Sequence, residues 1–307
     1  MTSFVTPTSF ARMYPVPDQC GLIKQSAEDF YVREVAIEDV SGSGEHVYLK
    51  VRKRHANTHW VARQIADFCS VRQMDVGYAG RKDRHAVTEQ WFSCYLPKED
   101  PSWDDLVIEG VELLAVARHS HKLRRGDLQG NQFDIRITGL QSCDRELMEI
   151  RINEIKLYGF PNYFGKQRFG RDNLTQAEEF LASGKRTIAG RDMLISAARS
   201  YLFNQYLGNC IEAEDIPEFG PLYGRSRDPQ PGEHLLSTRE VAWVEGLRLL
   251  KVKAGQRRMV VKPESFDWCF EKADLHLSFT LLAGGYATSL LRELINYQDA
   301  SLGAQSE

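Results

Sequence analysis

The segment Val76 to Phe92, VGYAGRKDRHAVTEQWF, sets one carboxylate, Asp83, among Arg81, Lys82 and Arg84. A carboxylate flanked by cations has a lowered pKa and stays ionised at neutral pH. Such a group suits a nucleophile or an electrostatic partner better than a general acid. Gly77 and Gly80 would let the backbone approach a ligand closely. A solvated turn with a surface ion pair fits the same string, and is the commoner use of such strings. On this segment alone both readings are open.

A second segment, Arg118 to Arg136 (RHSHKLRRGDLQGNQFDIR), gathers Arg118, Lys122, Arg124, Arg125 and Arg136 against only Asp127 and Asp134. Its natural target is phosphate, and the bland alternative is a basic surface loop. Asn131 could pair with the edge of a base and Phe133 could stack on its face, or Phe133 is strand core. In a third segment, PNYFGKQRFGRDN from Pro161 to Asn173, Tyr163, Phe164 and Phe169 interleave with Lys166, Arg168 and Arg171. Aromatics beside cations make a common surface for RNA strands, and a structural hinge competes with that reading.

These residues need elements to hold them. Asp29 to Val35 and His46 to Val51 alternate as strands do, and Glu89 to Leu96 and Gln132 to Ile137 read as strands too. Thr58 to Phe68 has helical spacing, with Trp60, Ile65 and Phe68 as apolar points and Thr58 as cap. Helices are expected over Arg145 to Tyr158, Thr175 to Ser183, Arg191 to Cys210 and about 238 to 250. Strands return in RRMVVK and LHLSFTLL, and a helix closes from Ala287 to about Tyr297. Strands first, a helical middle and strands last imply an α+β domain interrupted by a mostly helical insertion.

Bulk properties exclude several classes. With 307 residues, 42% hydrophobic and 26% charged, the chain can bury a core without disulfides. The net charge of −3 argues against a polycation but leaves room for a local basic groove. The six cysteines form no C-x-x-C pair, and the start carries no secretory signal, so reduced thiols and a cytoplasmic location are expected. No apolar run is long enough to cross a bilayer. No dinucleotide fingerprint or P-loop appears, and His55 and His59 lack nearby acidic or thiol ligands.

Together the three segments resemble the TruD family of transfer-RNA pseudouridine synthases. The matching strings are GRKDRHAVTEQ, Gly130-Asn131-Gln132-Phe133, and Asn162 to Gly170 (NYFGKQRFG). Two further strings are GLIKQSAEDFYVRE, with Lys24 and Phe30, and SFTLLAGGYATSLLRELI, with Tyr286. The five stand in the family's order from about residue 21 to about residue 297. Leu282 and Gly285 depart from the Pro and Ser expected near Tyr286, and the middle region is shorter than in some members.

The resemblance implies a mixed, largely antiparallel-sheet catalytic domain in two parts, residues 1–158 and 257–307, around an inserted domain at 159–256. It implies isomerisation of uridine to pseudouridine at position 13, in the D-arm of glutamate-type tRNA, with no cofactor and no metal. Asp83 would be nucleophile or base, with Lys24 beside it. Phe30, Asn131, Phe133 and Tyr286 would hold the uridine. Arg81, Lys82, Arg84, Lys122, Arg124, Arg125, Lys166 and Arg168 would meet the RNA. The expected partner is tRNA, with neither a membrane nor an obligate protein partner, and the default state is a monomer. Two rivals stand beside this reading. One is a non-catalytic RNA-binding or RNA-folding protein. The other is a nucleoside glycosidase, which needs a second carboxylate such as Glu34 or Glu89.

Overall fold

The computed structural model describes residues 9–15, 17–36, 40–170 and 172–305, without the side chains of 303–305. In chain order the strands are β1 (Cys20–Ile23), β2 (Phe30–Val35), β3 (His46–Lys53), β4 (Val76–Tyr78), β5 (Val87–Tyr95), β6 (Val111–His119), β7 (Gly130–Ile137), β8 (Phe160–Pro161), β9 (Phe219–Leu222), β10 (Gly255–Arg258), β11 (Val260–Val261), β12 (Glu264–Glu271), β13 (Asp274–Leu282) and β14 (Asn296–Asp299). The helices are α1 (Thr58–Phe68), α2 (Arg145–Tyr158), α3 (Asn173–Ala182), α4 (Arg191–Glu212), α5 (Thr238–Leu249) and α6 (Ala287–Leu294). The class is α+β, as the pattern predicts. The chain divides into two compact units. One comprises Met1–Asp18, Glu146–Lys262 and Gly285–Ile295; the other comprises Gln19–Arg145, Pro263–Gly284 and Asn296–Glu307.

The second of these is built on an eight-stranded sheet in the order β12-β13-β7-β2-β5-β3-β6, with β4 added on β5. Only β2 and β5 run parallel; the other pairings are antiparallel. Alternation puts Val47, Leu49 and Val51 of β3 and Phe92 and Cys94 of β5 on one face, under Val61, Ala62, Ile65 and Ala66 of α1. The apolar stripe of α1 is thus turned from the expected one. Trp60 is exposed, and Thr58 is the buried first residue after the cap position, Asn57. A separate two-stranded parallel ribbon joins β1 to β14.

The other unit is mainly helical. Fourteen of the 22 residues of α4 are buried, too many for a one-sided amphipathic helix, so it forms the unit's centre. Phe180 and Leu181 of α3 and Trp243, Val244 and Leu247 of α5 pack with it. α5 starts at a capping box, in which Ser237 Oγ accepts from the Glu240 N–H and Glu240 Oε2 accepts from the Ser237 N–H. The expected strand in RRMVVK is two short ones, β10 and β11, broken at the buried Met259. The closing helix ends at Leu294 rather than about Tyr297, because Asn296 to Asp299 are taken up in pairing with β1.

Candidate active site

Asp83 lies in the turn between β4 and β5, and three side chains fix that turn through its main chain. Gln90 Nε2 donates to the Gly80 carbonyl at 3.1 Å. Thr58 Oγ1 accepts from the Lys82 N–H at 3.0 Å and donates to Gln90 Oε1 at 2.9 Å. Lys53 Nζ donates to the carbonyls of Ala56, at 2.8 Å, and Asp83, at 3.0 Å. The strand alternation explains these placements: Lys53 opposes Thr88 and Val51 opposes Gln90, so all four point to the face covered by α1. Gly77 serves the chain rather than a ligand, since a Cβ there would collide with the Leu123 carbonyl.

Both oxygens of the Asp83 carboxylate are occupied by donors. Oδ2 accepts from Lys24 Nζ at 2.5 Å, and Oδ1 accepts from the His85 N–H at 3.0 Å. Burial pushes the carboxyl's pKa up. The Lys24 charge, its hydrogen bond and the His85 N–H pull it down more strongly, and the net position is below the ordinary carboxylate value. The direction agrees with the sequence reading, but the cause differs. The partner cation comes from 59 positions away, while Arg84 Nε donates to the His55 carbonyl and Lys82 turns inward.

Lys24 itself is tightly held. It follows β1 with φ 56°, in the left-handed region, which is uncommon for a residue other than glycine. Its ammonium also lies 3.3 Å from Asp299 Oδ2 and 4.8 Å from the centre of the Phe30 ring. Asp299 arrives through the β1–β14 pairing, in which it opposes Ile23. Sequence reasoning missed both Asp299 and Lys53.

The aromatic wall follows from the register of β2 on β7, where Val32 opposes Phe133 and Glu34 opposes Asn131. Phe30, Glu34, Asn131 and Phe133 therefore share one face. The Phe30 and Phe133 rings meet edge to face at 6.2 Å, and Phe133 stacks on Phe279 at 5.4 Å. Lys82 is buried beside them. Its Nζ lies 2.9 Å from Glu34 Oε2 and donates to Asn131 Oδ1 at 2.5 Å. The expected phosphate contact at Lys82 does not suit this position, because the ammonium is already committed inside the unit.

The basic segment is likewise sorted by the fold. Arg118 donates to the carbonyls of Gly44, Leu96 and Lys98 and pairs with Asp100, while Arg136 pairs with Asp274. Arg124 and Arg125 are exposed, and with Arg81 and Lys122 they line a groove of about 580 Å³ beside Gly77 and Tyr78. Lys122 also donates to the Met74 carbonyl.

In the helical unit Tyr163, Phe164 and Phe169 are core rather than an exposed stacking surface. Tyr286 packs edge to face on Phe164 at 6.0 Å, and the Arg257 guanidinium lies over the Phe164 ring, 4.0 Å from its centre. Lys166 and Arg168 are exposed on the short turn Lys166–Arg168, and Arg168 bonds Ser196 and Ser200. Arg171 lies outside the described residues.

The comparisons with known proteins agree with one another. The family model for tRNA pseudouridine synthase D (TruD) matches residues 11–181. The tRNA pseudouridine synthase D of Cellvibrio japonicus is 40% identical over 319 residues, covering 95% of this chain and 94% of that protein. That of Actinobacillus succinogenes is 36% identical over 337 residues, covering 94% and 99%. In fold, the chain is similar to a crystal structure from Methanosarcina mazei described as a candidate tRNA pseudouridine synthase D. The TM-score is 0.66 at 18% identity, over 95% of this chain and 97% of that one. With relatives matched over nearly their full lengths, this chain belongs to the TruD family of tRNA pseudouridine synthases, which are isomerases.

Proposed function

We propose that this protein converts uridine to pseudouridine in tRNA, at position 13 of the D-arm in glutamate-type tRNA, with Asp83 as the reacting group. The observation that carries the reading is the Asp83 carboxylate held ionised between Lys24 Nζ and the His85 N–H. The reaction breaks the bond from C1′ to N1 of the base and forms one from C1′ to C5; the C5 proton is released to solvent and N1 takes up a proton in exchange. An anionic oxygen is what either route needs, whether it attacks C1′ or removes a ribose proton to give a glycal.

The target nucleotide must leave its stack first, because its sugar and C5 are otherwise out of reach. Phe30 and Phe133 then supply the apolar wall for the ring, Asn131 bonds its edge, and Tyr286 is a further contact for the nucleotide. Arg81, Lys122, Arg124 and Arg125 receive phosphates along their groove, while Lys166, Arg168 and Arg84 are further contacts. The inserted segment 159–256 contributes shape-based recognition of the folded RNA. Lys82 acts by position rather than on phosphate.

The rival glycosidase needs a second free carboxylate near Asp83. Glu34 is paired with Lys82, and Glu89 is bound to Tyr31 and Arg52, pointing from the opposite face of β5. The test is tritium release from tRNA carrying 5-tritiated uridine, with wild type and Asp83→Asn. Wild type alone should release tritium, with RNA binding retained by both. Release by Asp83→Asn would remove Asp83 from the reaction. Free uracil among the products would favour the glycosidase, and binding without release by either protein would favour the non-catalytic RNA binder.

A further inference from the structure

The amide of Asn131 has two chemically opposite ends: Oδ1 accepts hydrogen bonds and Nδ2 donates them. Lys82 Nζ stands 2.5 Å from one of them. An ammonium has three donors and no acceptor, so the atom facing it must be Oδ1. The reverse orientation would set donor against donor. The orientation of this amide thus follows from the chemistry of its neighbour, which is not generally so for asparagine.

The lysine cannot readily move away. Its side chain is 6% exposed and that of Glu34 is 2% exposed, with Glu34 Oε2 at 2.9 Å. The Glu34 contact is one of charge, lying off the axis of a proper hydrogen bond, and Oε1 is fixed by the Trp91 N–H at 3.2 Å. Separating a buried pair leaves an uncompensated charge, which is strongly unfavourable. Glu34 and Asn131 are opposed across β2 and β7, and Lys82 enters from the turn that carries Asp83. Among the described residues nothing accepts from Asn131 Nδ2.

We infer that Lys82 is a positioning residue that locks Asn131 as a hydrogen-bond donor, and that the donor reads the O4 carbonyl of the target base. O4 is one of the two edge positions, with N3, that separate uracil from cytosine, which carries an amino group in place of O4. A locked Nδ2 donates to the carbonyl and meets the amino group as a second donor. An unlocked amide could rotate by half a turn and offer Oδ1 to cytosine. Lys82 would thereby couple base identity to the turn bearing the reacting carboxylate. This rests on the reading of the site as a uridine isomerase.

The test compares binding of two tRNAs, with uridine or cytidine at the target position, by wild type, Lys82→Arg, Lys82→Met and the double variant Glu34→Gln/Lys82→Met. The double variant removes the unpaired Glu34 charge and keeps the test available if Lys82→Met does not fold. Wild type and Lys82→Arg should prefer uridine. Loss of the lock should narrow the uridine-to-cytidine ratio about tenfold, mainly through tighter binding of the cytidine RNA. Equal weakening of both RNAs, or an unchanged ratio, would overturn the inference and leave Lys82 a purely structural residue. Tritium release by wild type in parallel separates the two levels. Its absence counts against the isomerase reading itself, and its presence with an unchanged ratio counts against the lock alone.

Discussion

Lys53 and Asp83 are joined through the main chain: the fully buried ammonium of Lys53 donates to the Asp83 carbonyl at 3.0 Å. The same ammonium donates to Ala56, so one side chain ties the end of β3 to the turn that presents the carboxylate. The arrangement places a cation near Asp83 without using its carboxylate oxygens, which remain for Lys24 and His85. Burial is the dominant influence on Lys53 and lowers its pKa to about 8; Asp83 opposes the effect and Lys82 adds to it.

Replacing Lys53 with Met should therefore act on turnover rather than on binding. The turn loses a clamp on its main chain, and a displacement of about an ångström at a reacting group costs roughly a hundredfold in rate. Single-turnover rates should fall by one to two orders of magnitude, with tRNA affinity within about twofold of wild type. Below pH 8 the lysine is charged in both folded and unfolded states, and the burial cost is borne in full. Between about 8 and the ordinary value of 10.5 the folded state has released its proton and the cost fades. Wild type should gain about 3 kcal/mol on Lys53→Met across that window in denaturant titrations. A difference independent of pH would mean that Lys53 is not the buried titrating group.

Lys24→Met tests the electrostatic half of the site. With its first opposing influence gone, the burial that raises the Asp83 carboxyl is no longer outweighed. The acid limb of the pH profile of kcat/KM should move to higher pH, and activity at pH 7 should fall. In wild type the lowered carboxyl adds stability that is present above the ordinary carboxylate range and lost as pH falls through its own lower value. As pH falls through the lowered carboxyl value, the stability advantage of wild type over Lys24→Met should accordingly shrink, because wild type loses this contribution and the variant, whose carboxyl burial raises, does not. If the acid limb stays in place and the stability difference does not change with pH, Lys24 is not what holds Asp83 ionised.

The parts of this site differ in how legible they are in the sequence, for physical reasons. Strands Phe30–Val35 and Gly130–Ile137 show because alternation marks a half-buried face, and their pairing brings Phe30, Glu34, Asn131 and Phe133 together. Strand Val111–His119 gives a weak signal: it pairs along one side only, with β3, and most of its residues are partly exposed on both faces. Arg118 consequently reads as part of a loop patch, although it lies at the end of a strand and is used up on carbonyls. Lys53 gives no signal because its partners are main-chain atoms, which carry no residue type. Asp299 is hidden because the apolar helical pattern runs on past Leu294 into residues that pair with β1. Lys24 is identified only by resemblance, since no local pattern connects it to a carboxylate 59 positions later.

The groove lined by Arg81, Lys122, Arg124 and Arg125 makes a quantitative demand on RNA binding. Each phosphate that a cation neutralises releases condensed counterions, and the slope of log K against log salt falls by about 0.7 to 0.9 for each phosphate left without its cation. Arg124 and Arg125 are exposed. Their joint replacement by alanine should leave the fold intact and reduce the slope by about 1.5. The drop in affinity should be the same for tRNAs with uridine or cytidine at the target, because phosphate contacts position RNA without reading base identity. The rate of the chemical step at saturating tRNA should not change, since neither arginine touches the reacting groups. A salt titration of filter binding, run beside single-turnover assays, checks all three expectations. An unchanged slope would move the RNA path away from this groove. A changed slope accompanied by a slower chemical step would show that the arginines also set the approach of the nucleotide to Asp83.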